Sequence, residues 1–214
     1  MSFLSKLFSS KDNVSQQGAY VRPNIAPIPS VNNAGAVFHL KGKPDAEGLY
    51  PGELVMLAVA EKYKTTESKF PGYLMHDYEI ANPPKVLNDL YGRGYLEYGK
   101  LSDSLGTFKL QELKDIASAL GVPASGKKAD IIERISGADE QQLGAYVKER
   151  TWKLTDKGKN ELKANPYVTY FLEKHTYSVK EVGIDIWTIN AEFVKDPKRP
   201  YRDYIYRQLD NLIR

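Results

Sequence analysis

Gly121-Val122-Pro123-Ala124-Ser125-Gly126-Lys127-Lys128 is the stretch whose residue types and spacing best suit chemistry with an anion. Two lysines follow a glycine where a helix is expected to begin. Cations at a helix N-terminus oppose the macrodipole. The same helix end offers backbone N–H groups, so phosphate is the ligand that would reward the arrangement. The stretch nearly spells the nucleotide-binding loop G-x-x-x-x-G-K-(S/T). Its last position is Lys128, so the hydroxyl that would hold Mg²⁺ is missing, and it follows a helix rather than a buried strand. Nucleotide hydrolysis is therefore not expected. His39, His76 and His175 are scattered, none with a second ligand at metal-binding spacing. Ser125 has no nearby histidine motif, and no paired carboxylates point to acid–base work. The expectation is a binding protein that needs no cofactor and is not an enzyme.

Two short amphipathic helices must position that loop. Leu110, Leu113, Ile116, Ala117 and Leu120 share one helical face. Gly121 is placed to end this helix, and Pro123 forbids its continuation. Ser125 is expected to cap the second helix, with Ala129, Ile132 and Ile135 as its buried stripe.

The segment 105–136 resembles the SAP domain. The pattern L-x-x-L-K-x6-G-(L/V)-P-x-S-G-x-K-x-x-(L/I)-I-x-R-(L/I) is met by Leu110, Leu113-Lys114, Gly121-Val122-Pro123, Ser125-Gly126, Lys128, Ile131-Ile132 and Arg134-Ile135. The resemblance implies binding of double-stranded DNA, mostly through the loop and the second helix. It singles out Lys114, Ser125, Gly126, Lys127, Lys128 and Arg134 as contacts. Some relatives bind RNA or proteins instead, and the same residues also suit a hairpin that only packs or spaces.

Composition bounds the partners. The net charge is only +3, and residues 105–136 hold five Lys or Arg against four Asp or Glu. Any DNA contact is therefore local and salt-dependent. No apolar run approaches the ~20 residues that span a bilayer, so no membrane role is expected. The absence of cysteine fits a reducing cytoplasm, and the compact cysteine-free make-up suggests a bacterial or bacteriophage source.

The rest of the chain is expected to be mainly α (α+β). Residues 1–47 read as an extended arm rich in Ser, Asn, Gln, Gly and Pro, a possible grip on a protein partner. It opens with the two-turn apolar pattern Phe3, Leu4, Leu7, Phe8, and Val37–Leu40 is a candidate strand. Pro51 suits the first turn of a helix over 51–64 with Leu54, Leu57, Ala58 and Val59 inward. A short helix over 73–78 follows. Asn82 and Pro83 open another, with Val86, Leu87, Leu90 and Tyr91 inward. Strands over 95–98 and 150–154 should pair around the inserted hairpin, and Thr155 should cap a helix to Ala164. This order, with LNDLYGRGYLEY and WKLTDKGKNEL, resembles a winged helix split by the insertion. The body would be 48–100 plus 147–176, the module 101–146, and a helical tail 177–214. Lys85, Asn88 and Arg93 would form a possible second DNA surface, with Asp89 among them. In the tail, Ser178 should cap a helix to about Val194, and Pro200 should open a last one with Tyr201, Tyr204, Ile205, Leu209 and Leu212 at core spacing. The cations interleaved there suit either a packed amphipathic helix or contact with single-stranded nucleic acid. The alternative to DNA binding is an interaction or structural protein, such as a virion component or an inhibitor of a nucleic-acid enzyme, with the hairpin as a spacer.

Overall fold

In the computed structural model, the residues described are 41–173 and 181–214. The apolar pattern at 1–8, the candidate strand at 37–40 and the Ser178 cap lie outside them.

Helix α1 (Pro51–Val59) is the centre of the body. Leu54, Val55, Met56 and Leu57 are all fully buried, so the helix is enclosed on every side, as a helix apolar all round must be. It packs against α3 (Pro83–Gly92), α7 (Asp156–Ala164), α8 (Pro166–Leu172) and α9 (Ile186–Phe193). The helix expected over 51–64 is shorter than that. It tightens into a 3-10 turn over Ala60–Lys62, and Tyr63 is already extended. The reason is a competing partner: the Tyr63 carbonyl accepts the Trp152 N–H at 3.2 Å, and Lys64 bridges Thr151. Helix α2 spans only Tyr73–His76, with His76 exposed.

Asn82 caps α3 as its sequence suggests, its Oδ1 accepting the Lys85 N–H at 3.1 Å. Leu87 and Leu90 face the core. Tyr91, expected inward, is 41% exposed and stacks on Tyr98 at 4.8 Å. Strands β1 (Leu96–Tyr98) and β2 (Trp152–Leu154) pair antiparallel, Tyr98 opposite Trp152 and Leu96 opposite Leu154. Thr155 then caps α7, its Oγ1 accepting the Gly158 N–H at 3.1 Å. The helix–helix–helix–strand–strand–helix order read from the sequence is thus the order found, and among the described residues the class is mainly α with one two-stranded sheet.

The tail helices enter the same core. Ile186, Ile189 and Phe193 of α9, and Tyr204 and Ile205 of α10 (Tyr201–Ile213), share it with α1 and α8. Among the described residues α9 is capped by Asp185, which accepts the Thr188 N–H at 2.8 Å, after a turn at Gly183 with φ of 79°. Tyr201 and Leu209 are half-buried, whereas Leu212, expected inward, is 58% exposed. It stands in the last turn, past the reach of the body.

Residues 41–49 are bound to this body. Asn190 exchanges bonds with the Lys43 backbone, accepting its N–H at 2.8 Å and donating to its carbonyl at 3.0 Å. Asp45 accepts from Asn165 Nδ2 at 2.8 Å.

Between the strands the chain builds a second, separate core. Leu101, Leu105, Leu113, Ile116, Ala117, Ile131, Ile135, Leu143 and Val147 are its buried members. Its stem is hydrogen-bonded to the sheet. The Gly99 N–H donates to the Thr151 carbonyl at 2.9 Å, the Thr151 N–H to Ser104 Oγ at 2.9 Å, and Arg150 to the Gly99 carbonyl at 2.7 Å. Glu140 accepts from both the Leu101 N–H and Arg150, each at 3.0 Å.

Candidate nucleic-acid interface

Helices α4 (Leu110–Ala119) and α5 (Lys128–Ser136) carry the loop that the sequence singles out. Helix α4 starts where Glu112 turns back to accept the Lys109 N–H at 2.6 Å. It ends in a Schellman motif. The Val122 N–H reaches the Ala117 carbonyl at 2.9 Å and the Gly121 N–H the Ser118 carbonyl at 3.2 Å, with Gly121 at φ of 71°. Leu113, Ile116 and Ala117 are buried, while Leu110, at the exposed first turn, is 42% exposed.

The start of α5 differs from the sequence expectation. Ser125 is not its cap. The cap position is Lys127, whose N–H donates to Asp130 Oδ2 at 3.1 Å. This moves the helix start two residues on and rotates the apolar stripe. Ile131 and Ile135 are buried, Ile132 only half-buried, and Ala129 exposed. The signal was present: an acidic residue three positions after a cap is a known way to satisfy a first-turn amide.

Arg134 has a structural task. Its guanidinium donates to the Pro123 carbonyl, to the Ser125 carbonyl at 2.6 Å and, through Nε, to the Asp130 carbonyl at 3.0 Å. One planar fork thus holds the loop against α5, an arrangement that lysine cannot copy. Gly126 sits beneath it at φ of 110°, where a Cβ would meet Arg134 and Asp130 at 3.1 Å. We expect Arg134→Lys to lower module stability by about 1–2 kcal/mol, the scale of lost charge-assisted hydrogen bonds. Amide exchange at 124–127 should accelerate in step. Unchanged exchange would show that the loop holds its shape without the fork.

Lys127 and Lys128 are both exposed beside this loop. Lys128 Nζ donates to the Gly106 carbonyl at 2.8 Å, joining α5 to the 3-10 turn over Ser102–Thr107. Gly106 was not foreseen, because a backbone acceptor leaves no trace in side-chain pattern. Lys114 is half-buried on α4. Ser125, Gly126, Lys127, Lys128 and Arg134 therefore converge on one loop and one helix end, with Lys114 on the preceding helix. Residues 104–140 match the SAP domain. The match begins inside the 3-10 turn, at Ser104, and ends at Glu140, the first residue of the Asp139-capped turn α6 (Glu140–Leu143). It supports a nucleic-acid-binding role for this module. No curated protein and no solved structure gives a match to the chain.

The second surface is built differently. Lys85 pairs with Asp89 at 2.6 Å, Asn88 Nδ2 donates to the Pro84 carbonyl at 2.9 Å, and Arg93 pairs with the buried Glu53 at 2.8 Å. The three side chains are engaged within the body. Among the described residues no group of His, Cys, Asp or Glu is placed to hold a metal ion, and no helix is long and apolar enough to cross a membrane.

Proposed function

We propose that this chain is a non-enzymatic nucleic-acid-binding protein whose SAP domain contacts duplex DNA through backbone phosphates. The observation that carries the reading is the exposed pair Lys127 and Lys128, the cap and the first residue of α5, inside the matched segment. First-turn amides have no intrahelical partner, and both ammonium groups stand beside them, Lys128 exchanging its bond to the Gly106 carbonyl for the phosphate. Gly126, without a Cβ, leaves room for the Arg134 fork that holds the loop in register. Lys114 adds charge from α4. In this reading the body is a winged-helix-like scaffold, and Lys85, Asn88 and Arg93 stay with their partners Asp89, Pro84 and Glu53. Phosphate contacts position a protein without reading bases, so little sequence preference is expected.

The test is a salt titration of duplex DNA binding. Lys127→Gln with Lys128→Gln should weaken binding to all duplexes alike and reduce the slope of log K against log salt by roughly 1.8, at about 0.9 per phosphate. Lys127→Gln alone leaves the Lys128–Gly106 bond intact and should remove about half of that. Unchanged slope and affinity in the folded variants would overturn the reading.

One observation favours the second reading, a protein-docking body with the SAP domain as spacer. Tyr91 and Tyr98 are 41% and 42% exposed and stack with their planes 15° apart. Exposed aromatics of this kind are enriched at protein interfaces. The same titration separates the readings, because a spacer leaves duplex affinity indifferent to Lys127 and Lys128.

A further inference from the structure

The stretch from Lys195 to Arg207 takes no part in the SAP domain. It holds five cations, Lys195, Lys198, Arg199, Arg202 and Arg207, against Asp196 and Asp203. Its net charge of +3 equals that of the whole chain, whereas the SAP-like segment 105–136 has +1. The structure sorts its interleaved residues. Tyr204 and Ile205 are buried, at 3% and 4% exposure, and Tyr201 is half-buried. All five cations stay at the surface.

The Tyr204 hydroxyl donates to the Asp196 carbonyl at 2.7 Å, tying the start of α10 to the end of α9. Between them lies a cleft of about 170 Å³ lined by Glu192, Lys195, Asp196, Arg199, Tyr204 and Arg207. The Arg199 and Arg207 guanidiniums lie 5.9 and 5.5 Å from the Tyr204 ring centre. Four carboxylates temper this surface: Glu192 pairs with Lys195 at 2.8 Å, Asp196 stands 3.7 Å from Arg199, and exposed Asp203 and Asp210 lie one turn before and after Arg207 on α10. Among the described residues no carboxylate lies within 4.0 Å of Lys198, Arg202 or Arg207. Clustered like charges repel and lower stability without a counter-charge, and a cluster beside a cleft concentrates anions.

We propose that the exposed cations of this tail, Lys198, Arg202 and Arg207, with Arg199 at the cleft, make a second set of contacts to the phosphate backbone of the same nucleic acid as the SAP domain. The inference rests on the nucleic-acid reading above. Two contact faces on one chain raise affinity by making the second contact intramolecular, with no need for base recognition.

The test uses the full chain and the triple variant Lys198→Gln, Arg202→Gln, Arg207→Gln, with thermal unfolding as the folding check. Glutamine removes charge and keeps most of each stem. The slope of log K against log salt on a duplex should fall by roughly 2–3, at about 0.9 per phosphate, and low-salt affinity should fall about tenfold or more. An unchanged slope, with the Lys127/Lys128 variant still reducing it, would overturn the tail face and leave the SAP reading standing. A reduced slope in the triple variant alone would keep the tail face and overturn the SAP reading. Loss of binding to phosphatidylserine vesicles with the duplex slope intact would assign the face to membranes and overturn the proposal. No duplex binding by the unmodified chain would overturn both.

Discussion

Gly158→Ala should destabilise the body by about 3 kcal/mol, at the upper end of what an added methyl group costs in a packed core. A Cβ built at Gly158 would stand 2.3 Å from the Tyr95 carbonyl oxygen and 3.1 Å from Leu154 Cδ2. The first of these is backbone, held by the Thr155 N–H at 3.1 Å and by the strand that follows it, so it cannot move aside cheaply. The gain in helix propensity from glycine to alanine, about 1 kcal/mol, is too small to compensate. Gly92 is the control. It closes α3 with nothing within 4 Å of its Cβ position and no positive φ, so Gly92→Ala should be neutral or slightly stabilising. Urea unfolding of both variants checks this. A Gly158→Ala protein as stable as the parent would show that α7 does not need its close approach to β1.

The second large effect concerns pH. Glu161 is buried at 7% exposure beside Asp45, and Asn165 Nδ2 donates to both, at 2.9 Å to Glu161 Oε1 and 2.8 Å to Asp45 Oδ2. Burial, then the hydrogen bond to Asp45 and the charges of Asp45 and Glu47, push the Glu161 carboxyl up to about 7, against the opposing bond from Asn165. Its ordinary value is 4.5. The folded state therefore holds the proton more tightly than the unfolded chain. The stability this contributes is complete below pH 4.5, declines as pH rises toward 7, and is gone above it. Glu161→Gln, which cannot ionise, should match the parent near pH 5 and exceed it by on the order of 2 kcal/mol at pH 8. Comparing the two proteins cancels the opposite contributions of Glu149 and Glu192, whose carboxyls are lowered by hydrogen bonds from Lys64 and Lys195. Parallel stability–pH curves for parent and variant would show that Glu161 ionises normally. Asp45 is one tie of residues 41–49 to the body, so the same titration should raise the protease sensitivity of that segment at alkaline pH.

Local chemistry was legible because it acts within a few residues. Asn82, Thr155 and Gly121 each satisfy or end a helix through bonds spanning three to five positions, and their side chains announce it. The SAP pattern was readable for the same reason, since its glycines, proline and lysines lie within one loop and its two helices. The pairing of β1 with β2 was also foreseen, because two short alternating segments flanked an interruption that did not need them.

Tertiary structure decided what each charged group is for. Arg134 matches a DNA-contact position in the sequence, yet its guanidinium is occupied by the carbonyls of Pro123, Ser125 and Asp130. Arg93 sits at the end of a candidate recognition helix, yet it neutralises the buried Glu53. Arg199, Arg202 and Arg207 are interleaved with tyrosines in a way that leaves two readings open, and the burial of Tyr204 settles which residues remain at the surface. The sequence determined which side chains carry charge and which segments are helical, because both follow from composition and local spacing. Which cations remain free for a ligand depends on the nearest acceptor in space. That acceptor is often a backbone carbonyl, Pro123 and Ser125 for Arg134, which every residue possesses and no pattern distinguishes.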